Sequence, residues 1–322
     1  MHQLLRHGVI AAMLCFTAAQ AGAQAYPSKP IRFLVPSPAG GSPDILARVV
    51  STRLSAQLNQ QVVVDNRGGA SGIIGVEIVK NATPDGYTLL LATATNFASL
   101  PVLKSKLPYD VDRDFTHLSR IASVANVATV NAGLGVNTAA DLVKLARDKP
   151  GFLNFGSAGN GTPAHIAGAM FNVLAGVKTT HVPYKGAALA LSDMMGGQIH
   201  FLITSPLVAM PHGRAGRIRV LATTGAQRDP LLPELPPMAE AVPGYEIVQW
   251  WGVSVAKATP AAITQRLHKE LMIALNSAEA KALMNKNGAT PRPESPAEFS
   301  AFMKSERARI ANVGKQAGIS LD

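Results

Sequence analysis

Cysteine is all but missing from this chain: the single one, Cys15, stands among the first 25 residues. For everything after it, that scarcity excludes a thiol nucleophile, a thiolate-bound metal and disulfide cross-links, and it suits export into an oxidising compartment. Aromatic residues are few as well, at 5%. A nucleic-acid groove combines a concentrated basic stripe with rings to stack on. Here the net charge of +10 is scattered, with nothing denser than pairs such as Lys104/Lys106 and Arg217/Arg219. No nucleic-acid partner is expected, and the positive balance reads as a general preference for small acids. Long apolar runs are lacking too. The opening "MHQLLRHGVIAAMLCFTAAQAGAQA" has a basic start at Arg6, an apolar stretch from Gly8 to Ala21 and a small-x-small end at Ala23-Gln24-Ala25. That stretch is too short to cross a bilayer, and the pattern is that of a secretory signal peptide over residues 1–25, cleaved after Ala25.

What is present is alternation. Strand-like runs such as "IRFLVP", "QVVVDN" and "YTLLLAT" are separated by helical ones such as "SPDILARVVSTRLSAQL" and "GIIGVEIVKNA". A second series starts near Ser123, with "VATVNA", "LNFGSA", "TTHVPY" and "IHFLIT" divided by helices. This order predicts an α/β fold with largely parallel, buried strands. The proline-rich "DPLLPELPPMAEAVPGYE" excludes continuous helix or central strand, and the C-terminal third is helical. Two lobes with crossings near Ser123 and Tyr245 account for the order: residues 26–124 with 246–322 in one, 125–245 in the other. A cleft between lobes is where small molecules usually bind.

Two stretches share one plan. "LVPSPAGGSPDILARVV" and "NFGSAGNGTPAHIAGAM" each run strand, glycine turn, Ser or Thr, Pro, apolar helix. Ser42 and Thr162 are the expected N-caps, with Pro43 and Pro163 at the first helical position. Such helix starts offer unpaired backbone N–H groups and a positive dipole end, and the glycines admit an anion to the backbone. Ordinary capped turns would look the same; the duplication in two lobes favours a binding role. Gly156 to Gly161 has the spacing of a phosphate-binding P-loop, but Thr162 stands where its lysine belongs. "NRGGASGIIG" misses the dinucleotide fingerprint and is read as shaping the lobe or its rim.

Catalysis has little support. There is no G-x-S-x-G elbow, no H-E-x-x-H and no paired acidic cluster, so neither a catalytic triad nor a metal site is expected. His165 falls in the first turn of its helix, in reach of ligand or loop. Asp44 stands in a first helical turn, where an acid stabilises the dipole as readily as it binds. Thr95 and Asn96 after "YTLLLAT", and Thr204 and Ser205 in "LITSPLVA", are polar contacts or turn formers. Tyr184 in "HVPYKG" walls the cleft or joins the core, and Trp250 and Trp251 are read as packing residues.

These stretches, with "VVVDNRGGASGIIGVEIVKNATPDGYTLLLAT", "LPYDVDRDF" and "GRIRVLATTGAQRDPLLPELPPMAEAVPGYE", resemble the Bug family, the extracytoplasmic solute receptors of tripartite tricarboxylate transporters. The resemblance spans essentially the whole chain after the leader. It implies a type II periplasmic-binding-protein fold, two α/β lobes around a ligand cleft, no enzymatic activity, no cofactor and a periplasmic monomer that hands its ligand to membrane subunits. It places a ligand carboxylate at Ser37, Ala39, Gly40, Gly41 and Ser42 in one lobe and at Ser157, Ala158, Gly159, Gly161 and Thr162 in the other, with Thr95 and Asn96 beside them. Ser37 stands where the family commonly has an aromatic residue, which bears on the width and wetness of one wall. The competing readings are a sensor that presents its ligand to a signalling partner and, from a different class, a periplasmic hydrolase using Ser157 or His165. Di- or tricarboxylates and aromatic acids all suit such a cradle.

Overall fold

The apolar runs after the leader form three parallel strands: β1 (Ile31–Val35) lies between β2 (Val62–Asn66) and β3 (Thr88–Thr93). The computed structural model describes residues 26–322, so the expected signal peptide, residues 1–25, lies outside the described residues. Helices cover both faces of these strands, which is why β1 is buried almost end to end rather than in alternation. On one face the Ser42–Leu58 helix repeats Leu46, Val50, Leu54 and Leu58 every fourth residue and packs them with Phe33 and Val35. On the other, Val76 and Val79 of the Ile73–Lys80 helix meet Leu34 and Leu90.

β4 (Phe115–Ala125) leaves this sheet, and the chain then builds a second one from β5 (Val127–Asn131), β6 (Asn154–Ser157), β7 (Thr180–Pro183), β8 (Phe201–Thr204) and β9 (Ile218–Thr223). β10 (Val248–Ala256) returns to the first sheet, and β11 (Thr290–Pro291) completes it. The orders are β11-β4-β10-β3-β1-β2 and β7-β6-β8-β5-β9. Only Asn126 separates β4 from β5. The outward and return passages are tied together. Thr224 N–H donates to the Asn126 carbonyl (2.8 Å), and Thr224 Oγ1 donates to the Ile247 carbonyl (2.6 Å).

The sheets are mixed, where the alternation predicts largely parallel strands. β10 runs antiparallel to β3 and β4, and β5 antiparallel to β8 and β9. The double crossing is the reason: a strand leaving a sheet and one coming back to it lie side by side and point opposite ways. The proline-rich passage holds only a short turn of helix, Met238–Glu240, and one bridge from Pro237 to Thr223. The Pro296–Ala317 helix joins the halves. Its Phe299, Met303, Ile310 and Val313 share one buried cluster with Ile166, Met170 and Phe171 of the Pro163–Ala175 helix.

Candidate ligand cleft

Both expected cradles open on one cleft between the two sheets. It has two adjoining compartments of about 540 and 550 Å³, and Ser37, Thr95, Ala158, Thr162, Lys185 and Gln249 stand in the walls of both.

In the first cradle the chain leaves β1 at Val35 and turns into the Ser42–Leu58 helix. Gly41 is the N-cap and Ser42 is already helical, a correction to the reading of Ser42 as cap, and no side chain caps this helix. The turn is held from behind by Asp44. Its Oδ2 accepts from Gly40 N–H (2.9 Å) and its Oδ1 pairs with Arg48 (3.0 Å). Burial pushes the Asp44 carboxyl up, but the Gly40 N–H and the Arg48 guanidinium outweigh it and hold the group below the usual carboxylate range. Asp44 does not line the cleft; Ser37, Ala39, Gly40, Gly41 and Ser42 do.

In the second cradle Thr162 is the N-cap and Pro163 opens the helix, as the sequence suggests. The Thr162 hydroxyl does not cap, however; it donates to the Gly159 carbonyl (2.7 Å). Gly161 N–H donates to His165 Nδ1 (3.1 Å), so that nitrogen carries no proton and His165 is neutral. His165 stacks on His181 with ring centroids 4.0 Å apart, and His181 Nε2 lies 2.7 Å from Ser157 Oγ. Gly159 N–H donates to the same Ser157 oxygen (3.1 Å). Burial lowers the pKa of both rings, and the neighbouring His165 lowers His181 further, to about 4. Ser157, Gly161 and His165 thus stand behind the wall and brace it, while Ala158, Gly159 and Thr162 form it. Ser157 is fully buried, with its hydroxyl engaged by His181 and Gly159.

The side loops divide in the same way. Thr95 and Asn96 both line the cleft, but the Asn96 side chain is already engaged. Its Nδ2 donates to the Ser71 carbonyl (2.7 Å) and its Oδ1 accepts from Thr93 Oγ1 (2.7 Å). Asn96 therefore fastens the Gly69–Gly72 turn to the end of β3. In that turn Ala70 and Ser71 are left-handed, with φ of 48° and 56°. Two successive non-glycine residues in this region store strain, as walls of functional clefts often do. Gly72 is confined more tightly: at φ of +89°, a Cβ would sit 2.7 Å from the Pro36 carbonyl oxygen and 2.9 Å from the Asn96 amide. Tyr184 gives its ring to the cleft wall and its hydroxyl to Asp193 Oδ2 (2.8 Å). Burial, then that carboxylate, push its pKa up to about 12. Thr204 and Ser205 line the second compartment, where Ser205 Oγ accepts from Leu207 N–H (3.3 Å) and caps its own helix.

Sequence reasoning missed several wall residues. The Gly69–Gly72 turn, read as rim, is wall, and its G-x-x-G-x-x-G spacing was the available signal. "YKGAALA" repeats the strand-glycine-helix plan without the Ser/Thr-Pro mark and starts a further uncapped helix, Ala187–Met195, at the cleft. Asn126 and Gln249 carried no local signal, because only the two crossings bring them to the site. Trp250 and Trp251 are fully buried, as packing residues should be, and also line the first compartment.

With this geometry in place, the kinship is direct. The family model of the tripartite tricarboxylate transporter family receptor matches residues 46–319. The chain belongs to this family. Among its relatives, protein BugT of Bordetella pertussis is 33% identical over 308 residues, covering 94% of each chain. The solved R. palustris protein Rpa4515, with adipate, is 36% identical at a TM-score of 0.86, over 92% of this chain and 99% of that one. MatC of Rhodopseudomonas palustris, with bound malate, is 26% identical at 0.80, over 89% and 99%. The fold is accordingly the type II periplasmic-binding-protein fold, two α/β lobes around a cleft, and the family's members are periplasmic solute-binding receptors rather than enzymes.

Proposed function

We propose that this receptor captures a small carboxylate between its lobes, residues 26–124 with 246–322 and residues 125–245, in the periplasm and delivers it as a monomer to the membrane subunits of a tripartite tricarboxylate transporter. One observation carries the reading: helices from both sides, Ser42–Leu58 and Pro163–Ala175, start at a single cleft with no side chain of their own on their first N–H groups. An anion is the natural partner of such donors. Each hydrogen bond to a charged acceptor contributes about 1.5–3 kcal/mol, and each dipole end about 0.3–1 kcal/mol. Three or four such contacts reach micromolar affinity after the entropic cost of association. The ligands of Rpa4515 and MatC, adipate and malate, are acids of this kind.

A thermal-shift screen with mono-, di- and tricarboxylates, amino acids and aromatic acids tests the reading. A ligand at about 100 times its dissociation constant stabilises the folded state by about 2.7 kcal/mol. A shift with carboxylates and none with their uncharged amides is the expected result; equal shifts with both, or chemical turnover of a bound acid, would sink it.

A further inference from the structure

We infer that residues 318–322 form a latch behind the second cradle, in which Leu321 positions Gly161 and, through it, the ligand-facing start of the Pro163–Ala175 helix. The inference rests on the carboxylate reading above and adds to it a residue that lies outside the cleft walls. The segment begins where the Pro296–Ala317 helix stops at Gly318, and Ile319 N–H donates back to the Gly314 carbonyl (2.8 Å). From there it is tied to the Leu100–Leu103 helix and the two residues after it. Leu321 N–H donates to the Leu103 carbonyl (2.9 Å), and Lys104 Nζ donates to the Leu321 carbonyl (3.1 Å). Asp322 Oδ1 accepts from both Ser105 N–H (2.9 Å) and Ser105 Oγ (2.8 Å). That short helix continues the Thr95–Ser99 turn, which follows β3, so the backbone of the segment is fastened to the side of the first sheet.

Its side chains reach the other side. A Cβ on Gly161 would stand 2.6 Å from Leu321 Cδ1 and 3.7 Å from Leu100 Cδ2, so both leucines press on bare backbone of the loop after β6. On the opposite side the Gly161 N–H is held by His165 Nδ1 (3.1 Å). Ile319 shares with His165 and His181 a recess of about 350 Å³ behind the same loop. Gly161, one residue before the N-cap Thr162, is thus gripped from front and back. A contact that bridges the two sheets is made only while the second cradle rests against the side of the first. Its energy therefore adds to the hold on a ligand gripped by both cradles, and its loss appears as faster release.

Two measurements on the purified protein test the latch: amide hydrogen exchange without ligand, and stopped-flow binding of adipate and malate read by Trp250 and Trp251, the two tryptophans of the chain, which line the cleft. Leu321 is half-buried and Asp322 exposed, so Leu321→Ala and Asp322→Ala keep the fold. In Leu321→Ala, exchange at the Gly161 N–H should rise by at least about threefold and stay unchanged at the distant Asp141 N–H. Ligand release should quicken by about tenfold, the worth of the apolar area a half-buried leucine gives up, with association within about twofold. Leu321→Met should restore most of the hold, and Asp322→Ala should quicken release in the same direction but less. Leu283→Ala, on the Ala278–Lys286 helix, should change neither reading. Unchanged exchange at Gly161, unchanged release, or the same effects in Leu283→Ala overturns the latch and leaves the receptor reading intact. If wild type binds none of the acids of the screen, the receptor reading falls and the latch falls with it.

Discussion

Helix starts at the cleft and helix starts away from it are finished differently. Away from the cleft, Ala139–Asp148 has a full capping box: Thr138 Oγ1 accepts from Asp141 N–H (3.1 Å), and Asp141 Oδ2 accepts from Thr138 N–H (2.9 Å). Pro296–Ala317 repeats the device with Ser295 and Glu298, and Ser277 caps Ala278–Lys286. At the cleft, Ser42–Leu58, Ile73–Lys80, Pro163–Ala175 and Ala187–Met195 have no side-chain cap. Shortage of suitable residues is not the whole cause, since Thr162 stands at the N-cap with its hydroxyl turned to the Gly159 carbonyl. Three helices depart from the pattern: Pro206–Arg214 lines the cleft and is capped by Ser205, while Leu100–Leu103 and Ala261–Asn276, outside the cleft walls, have no side-chain cap. The lesson is that uncapped donors cluster where a ligand can replace the cap, leaving the free receptor short of a few hydrogen bonds that its ligand supplies.

The comparison can be broken most forcefully at the wall. Gly72→Ala forces a Cβ into the Pro36 carbonyl and the Asn96 amide at a positive φ. It should cost about 3 kcal/mol of stability, read by denaturant melts, together with most ligand binding. A smaller and more pointed change gives a cleft helix the cap it lacks. Gly41 has an ordinary φ of −83° and only Pro43 near a would-be Cβ, so Gly41→Asp fits. Its carboxylate should raise or preserve the melting temperature by self-capping and weaken carboxylate binding by tenfold or more, about 1.4 kcal/mol. Unchanged affinity in that variant would undo the comparison.

The converse change at a distant helix, Thr138→Ala or Ser295→Ala, should cost about 1 kcal/mol of stability and leave affinity within about twofold. The smallest effect concerns acid. His165 and His181 titrate below their ordinary 6.5 in the folded protein, so the unfolded chain binds more protons between the two values. Their contribution is complete above pH 6.5 and is lost as pH falls through the His181 value of about 4. His117, buried and likewise lowered to about 4, adds to the same trend. Melting temperature should therefore decline from pH 6.5 towards 4, and less steeply in His181→Asn; an identical slope in both proteins would contradict the assignment.

Much of this was legible in the sequence. Strand and helix alternation, the two crossings and the duplicated strand-glycine-helix plan are local patterns, and they located both cradles. Local pattern could not tell a residue in the wall from one behind it. Asp44, Ser157, Gly161 and His165 sit within the right motifs, yet their side chains or backbone turn inward to hold the loops, a distinction set by packing against Arg48, His181 and Leu321. Asn126 and Gln249 reach the cleft only because two distant crossings lie side by side, and the mixed strand directions have the same origin.

The most direct measurement is a crystal structure of the protein with a carboxylate from the screen in the cleft. The account predicts carboxylate oxygens at about 3 Å from backbone nitrogens at the starts of both the Ser42–Leu58 and Pro163–Ala175 helices. A ligand held by side chains alone, with those N–H groups still unpartnered or bonded only to water, would contradict it.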